Sequence, residues 1–549
     1  MVKLFAERIM KRHASVAGLL VMVFVLVFSS LALAAEKPAD KPEKSSEGAK
    51  FNAPPADSIT EGVVEAAGQK IAYQAIAGTI TVGGSDEYDA QIDAQGKPLE
   101  GTDIKAPAEP KDAPATSRIF YVAYLRKDQK AEQRPITFLF NGGPGSATVW
   151  LHMGTFGPKR VLTPGDQHMP PAPYALVNNA YTLLDTSDIV FIDMPGAGFS
   201  RIYGKEKEDA FWGVDQDAEA FARFIARFVS KYNRWNSPKY IFGESYGTTR
   251  AAQLANILQQ QKHIDLNGVI MLSQIMTYAS SPDRAEAGQD IPYILALPTY
   301  AATAWYHHRV PSQPKDLKPF LTEVENFALG DFAHALALGT ALPEADKKII
   351  AEKLHGYTGL PVSLLLKADL RIDGGVFEKS LQDDEGITTG RLDTRFSGPT
   401  LDPLSRNAEY DPMSSAIAAA YVSTFNDYVR RDLKWGADQS YLLYAQFGGH
   451  RWKPRRRRMN VNVIDELATA MKENPRLKVL LNAGYYDLAT PYFAAVFEDR
   501  HMPIPPELVK NIDYAFYESG HMVYLQEECL KQLHDNVANF IKKTSGDAR

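Results

Sequence analysis

Between residues 117 and 276, short apolar runs alternate with amphipathic stretches. "ITFLFNGGPGS", "DIVFIDMPGAGFS", "YIFGESYG" and "GVIMLSQIM" each contain a continuous hydrophobic segment of strand length that ends in a Gly-rich or polar turn. "DQDAEAFARFIARFVSKY" and "TTRAAQLANILQQQKH" repeat their apolar positions at helical spacing and lie between some of these runs. Apolar strands interleaved with such helices predict a mainly parallel central sheet covered on both faces. Upstream, "KIAYQAIAGTITVGG" and "SRIFYVAYLRK" alternate and are rich in β-branched and aromatic residues, so they read as further strands. A polar, Pro- and Gly-rich loop from about Gly84 to Thr116 separates them.

After Met276 the pattern changes. Residues 277–440 read as mainly helical, rich in Ala and Leu and broken by Pro and Gly. Sheet-like text then returns in "LKVLLNAGYYD" and "IDYAFYESGH". The organisation this predicts is an α/β core formed by residues 59–276 and 441–549, interrupted by a helical cap insertion at 277–440. An insertion on the loop side of a sheet is well placed to cover a site.

The first 35 residues read as a targeting segment. Lys3, Arg8, Lys11 and Arg12 precede "VAGLLVMVFVLVFSSLALA", which carries no charge, and Ala32-Leu33-Ala34 offers a small-residue cleavage site. The expectation is a signal peptide over 1–35 and an exported protein, periplasmic or secreted. An uncleaved membrane anchor is the alternative, because the apolar run approaches spanning length. Residues 36–58 are rich in Pro, Lys, Glu and Ser and read as a solvated linker. The single cysteine, Cys529, excludes an intramolecular disulfide, which suits export to a bacterial envelope. It lies in an amphipathic helical pattern and reads as a packed thiol.

The net charge of −6 and the absence of a dominant basic patch argue against nucleic acid as a partner. The run "RWKPRRRRM" from Arg451 reads as a solvated loop, with contact to an anionic lipid or acidic partner as the alternative. None of the 12 histidines stands in a His-Glu-x-x-His pattern, so no metal site is expected.

The candidate chemistry starts at Ser245, in Gly-x-Ser-x-Gly between a strand and a helix. Glycines at these positions let the chain turn so sharply that the hydroxyl stands clear of the backbone. A serine needs a base, and in this strand-turn-helix context the partners follow in the order serine, acid, histidine, each after a later strand. Asp487 follows "LKVLLNAGYY" and His521 follows "IDYAFYESG". Asp193 ends an earlier strand and reads as structural, while His307 and His308 lie in the insertion. The Gly-rich "NGGPG" after "ITFLF" brings a backbone amide toward the site, where it and the amide of Tyr246 could bind a developing oxyanion. "IPYILALPTYAATAWYHH", at the start of the insertion, reads as cap core, with an apolar side-chain pocket as the alternative.

Taken together, "NGGPGS", "GPKRV", "GESYG", "NAGYYDLATP" and "ESGHM", in this order, resemble the serine carboxypeptidases. The resemblance covers roughly residues 115–275 and 478–545, and implies an α/β-hydrolase fold with a helical cap. It implies a triad of Ser245, Asp487 and His521, and an oxyanion hole from the amides of Gly143 and Tyr246. It further implies that Asn141 and Glu244 bind the substrate's free α-carboxylate, that no cofactor or metal is needed, and that peptide or protein C-termini are the substrates. A Glu can donate to a carboxylate only when protonated, so acid-favoured activity follows. One position departs from the pattern: the family usually carries a second Glu where this chain has Thr155. A hydroxyl there could replace the acid pair at any pH and so bind the carboxylate, or it could weaken the capture. An esterase or acyltransferase on the same scaffold is the alternative within enzymes. From another class, the alternative is a non-catalytic binding module.

Overall fold

The computed structural model describes residues 54–102, 110–283, 285–454 and 461–546. The expected signal peptide, the linker up to residue 53 and residues 455–460 of the basic run lie outside the described residues.

Ten strands form one sheet: β1 (Ser58–Ala66), β2 (Gln69–Gly83), β3 (Thr116–Arg126), β4 (Ile136–Phe140), β5 (Asp188–Ile192), β6 (Arg201–Tyr203), β7 (Lys239–Glu244), β8 (Gly268–Leu272), β9 (Lys478–Gly484) and β10 (Ile512–Tyr517). Their spatial order is β1-β2-β3-β5-β4-β7-β8-β9-β10, with β6 paired to β3. From β5 onward every pairing is parallel, while β1, β2, β3 and β6 add an antiparallel margin. The five-residue strands β4, β5 and β8 are buried at every position, as expected where helices cover both faces.

Two apolar layers make those covers. Against one face lie α2 (Val214–Lys231), α3 (Tyr246–Lys262) and the helix Ile464–Glu473. Against the other lie α1 (Val149–Gly154), the helix Pro412–Arg431 and the last helix, Glu527–Thr544. Cys529 is buried in that last helix.

The inserted chain between β8 and β9 is not a single body. Ile291–Tyr306, Leu317–Phe327, Glu344–Thr358 and Gly374–Ser380 build a separate apolar cluster with residues of β9 and of Tyr492–Arg500. Pro412–Arg431 instead packs under the sheet. Its inward face carries Met413, Ile417, Tyr421 and Phe425, all buried. Among the described residues no helix is long and apolar enough to cross a membrane, and no cluster of His, Cys, Asp and Glu side chains could hold a metal ion.

Candidate active site

The carboxyl ends of β7, β8, β9 and β10 lie side by side, so whatever follows each strand gathers at one edge of the sheet. Ser245 follows β7 directly, with φ 62° and ψ −132°, a conformation that L residues rarely adopt. The turn closes because its neighbours lack side chains. A Cβ on Gly243 would lie 2.2 Å from the Gly247 carbonyl oxygen, and one on Gly247 would lie 2.8 Å from that of Phe140. The Ser245 amide donates to the Leu272 carbonyl at 2.9 Å, which pins the turn to the end of β8.

Asp487 lies three residues beyond β9 and His521 four beyond β10. Their side chains meet: His521 Nδ1 stands 2.8 Å from Asp487 Oδ2. Thr490 holds the carboxylate from its other side, its hydroxyl donating to Oδ2 at 2.7 Å and its amide to Oδ1 at 3.0 Å. Burial disfavours the imidazolium, but the Asp487 charge and hydrogen bond outweigh it, and the His521 pKa is raised above its ordinary value. With Nδ1 committed to Asp487, Nε2 is the nitrogen left for a serine proton. Ser245 and His521 line one cavity of about 470 Å³.

A short strap of the inserted chain, residues 391–395, braces both loops. The Arg391 carbonyl accepts from the Leu488 amide at 3.1 Å and the Leu392 carbonyl from the His521 amide at 2.7 Å. Asp393 Oδ2 accepts from the Gly520 amide at 3.2 Å, and its carboxylate pairs with Arg395 in a buried salt bridge of 2.6 Å. The strap therefore fixes the distance between the acid's loop and the histidine's loop.

The loop 141–145 closes over the serine turn. A Cβ on Gly142 would lie 2.4 Å from the Tyr246 amide nitrogen, so this loop and the start of α3 touch backbone to backbone. Gly143, with φ 110°, lines the cavity together with Tyr246. Arg250 on α3 supports the arrangement from beneath. It is buried, donates to the Asn141 carbonyl at 2.7 Å and pairs with Asp217 at 2.6 Å. Asp193 is also structural here, accepting from the Thr148 amide at 2.8 Å at the start of α1.

Glu244 and Asn141 both line the cavity. Asn141 Oδ1 accepts from the Leu151 amide at 3.0 Å, one of the donors left unpaired in the first turn of a helix, and its side chain also bonds Glu244. Burial is the main influence on Glu244 and pushes its pKa up to about 7. The nearby His521 and the hydrogen bonds from Tyr524 and Asn141 act the other way.

Thr155 does not join them, which corrects the expectation that it helps to bind a carboxylate. It is fully buried, does not line the cavity, and its hydroxyl donates to the Leu151 carbonyl at 2.6 Å. A threonine at a helix end readily bonds the carbonyl four residues back. The donor to Glu244 is instead Tyr524, whose hydroxyl reaches Oε2 at 2.9 Å. No motif in the chain marks a role for Tyr524, Thr490, Arg250 or the strap. Thr490 and Tyr524 each sit three residues after a triad candidate, but nothing in spacing or composition distinguishes them from packing residues. None of residues 291–308 lines the cavity, and that stretch is cap core. Of the basic run, Trp452 is half-buried against the Tyr246 ring.

A serine on a strained turn, sharing its cavity with an imidazole that a buried carboxylate holds and with Gly143 and Tyr246, is equipped for acyl transfer. Residues 111–292 match the family model described as serine carboxypeptidase. Sequence relatives point the same way. Serine carboxypeptidase-like 44 of Arabidopsis thaliana is 24% identical over 191 residues, covering 32% of this chain and 37% of that protein. A pheromone-processing carboxypeptidase of Yarrowia lipolytica is 26% identical over 187 residues, covering 34% of this chain and 28% of that protein. The chain thus spans about a third of the length of the curated relatives it matches. In the fold, a prohormone-processing carboxypeptidase from Saccharomyces cerevisiae superposes with a TM-score of 0.51 at 14% identity, over 85% of this chain and 91% of that one. The fold is that of the α/β-hydrolases.

Proposed function

We propose that the protein is a serine-type carboxypeptidase that releases single amino acids from peptide C-termini. His521 Nε2 takes the Ser245 hydroxyl proton as Oγ attacks the last peptide carbonyl. The oxyanion rests on the amides of Gly143 and Tyr246, and Asp487 stabilises the imidazolium. The proton then passes to the departing amine, the C-terminal amino acid leaves, and water hydrolyses the acyl-enzyme by the same steps. Asn141 and protonated Glu244 receive the terminal carboxylate. The proposed place of action is beyond the cytoplasmic membrane, on the charge and apolar pattern of residues 1–35.

The observation that carries this reading is the placement of a buried, protonatable Glu244 in the same cavity as Ser245 and His521. An esterase needs the serine and the histidine but has no use for a carboxylate receptor. The test compares wild type with Ser245→Ala on blocked dipeptides that end in a free acid or an amide, across pH 4 to 8. Serine-dependent release from the free acid alone, declining as pH rises through about 7 where Glu244 ionises, is the expected result. Equal turnover of acid and amide would refute the exopeptidase assignment.

A further inference from the structure

Arg391 is the only side chain with a permanent positive charge lining the cavity among the described residues, and the proposed mechanism leaves it unused. Its backbone is fixed on both sides, by the Leu488 amide at its carbonyl and by Asp411 Oδ1, which accepts from its amide at 2.8 Å. The side chain is freer, at 38% exposure. Nε and Nη2 both donate to a single oxygen, Oδ2 of Asp283, the former at 2.9 Å, and Nη1 has no partner among the described residues. A fork suited to meet two carboxylate oxygens therefore meets one.

Asp283 also lines the cavity, is 28% exposed, and accepts from no other side chain or amide among the described residues. Asp283 holds the guanidinium by charge and hydrogen bond, which raise its pKa against burial, but both side chains stay open to solvent, so another carboxylate can take its place. The other carboxyls near Arg391 do not compete for it: Asp487 is held by His521 and Thr490. Asp411 is occupied by the amide and hydroxyl of Ser414 as well as the Arg391 amide. Glu378 is buried, its Oε1 is unpaired, and burial pushes its pKa up to about 8 against the opposing pull of Arg391, so at neutral pH it is mostly uncharged.

We propose that Arg391 is a second carboxylate-binding residue of the pocket, one that releases Asp283 and grips a substrate carboxylate with two hydrogen bonds. This rests on the peptidase reading and names a substrate class for it. The carboxylate has two sources, an acidic side chain beside the scissile bond or the peptide's terminal group. Unlike Glu244, Arg391 keeps its charge at every working pH, so it attracts the anion under conditions where Glu244 repels it.

The test uses the Ser245→Ala protein at pH 6, where Glu244 and Glu378 are mostly protonated and peptides bind without turnover, and four blocked dipeptides read by calorimetry. Glu or Gln precedes the last residue, and the C-terminus is a free acid or an amide. Adding Arg391→Gln is expected to weaken one pair of carboxylate ligands about tenfold to a hundredfold and to leave its neutral counterparts unchanged. The pair affected identifies the source. Adding Asp283→Asn is expected to tighten the same ligands severalfold, which a purely structural Arg391 would not produce. Equal weakening of charged and neutral ligands, no weakening at all, or no tightening with Asp283→Asn would overturn the proposal. If none of the four peptides binds the Ser245→Ala protein, the peptidase reading itself fails, and this one falls with it.

Discussion

Glu244→Gln should change how the stability of the protein depends on pH. In the native state the Glu244 carboxyl is buried and its pKa is pushed from 4.5 to about 7. A folded-state pKa above the unfolded one means that the native state holds the proton more tightly. That contribution is fully present below about pH 4.5 and is lost as pH rises through about 7. Each pH unit of difference corresponds to about 1.36 kcal/mol, so the distance from 4.5 to about 7 amounts to about 3 kcal/mol. Gln keeps the acceptor that Tyr524 uses at 2.9 Å but cannot ionise. Variant and wild type should therefore have similar unfolding free energies near pH 4.5. By pH 9 the variant should be the more stable by about 3 kcal/mol. The assay is chemical denaturation of both proteins at intervals from pH 4.5 to 9, reading the difference between them. Glu498 and Asp499, whose pKa values burial also raises to about 7, titrate in both proteins and cancel in that difference. Parallel curves over the whole range would refute the reasoning, because they would mean that Glu244 ionises in the folded protein as it does in water.

Asp487→Asn should keep the fold and KM while lowering kcat by about a thousandfold to ten-thousandfold, since the imidazole loses the carboxylate that fixes its tautomer. Steady-state kinetics on a free-acid dipeptide, with circular dichroism as the control, checks this. Gly142→Ala should place a methyl 2.4 Å from the Tyr246 amide nitrogen and force the two backbones apart. A loss of about a hundredfold or more in acylation by a serine-directed phosphonate is expected, with Ser245 still present. Arg395→Met should leave Asp393 buried without its cation and cost about 3–5 kcal/mol, readable as a lowered midpoint in denaturant.

The parallel strands were legible because β4, β5 and β8 are buried on both sides, and such strands must be apolar at every position. Ser245 was legible because its turn tolerates only Gly at positions 243 and 247, which writes a geometric need directly into the chain. The acid and the histidine could be proposed because parallel strands deliver their following loops to one edge. The inserted segment was harder to read. The helix Pro412–Arg431 is as rich in Ala as the cap helices, and composition does not say which surface an apolar stripe will cover.

Local sequence thus determined the parallel strands of the core, though not the marginal β1 and β6, and it determined where the sharp turn falls and which three residues follow β7, β9 and β10. Tertiary structure alone decided what surrounds them. Tyr524 bonds Glu244 across 280 positions of the chain, Asp393 bonds the Gly520 amide across 127, and Arg391 meets Asp283 across 108. Thr155 spends its hydroxyl four residues away. Secondary structure and tight turns obey periodic, short-range rules that leave marks in neighbouring residues. A hydrogen bond between distant side chains depends only on where two loops come to rest, and any polar residue looks alike until the fold has brought its partner within 3 Å.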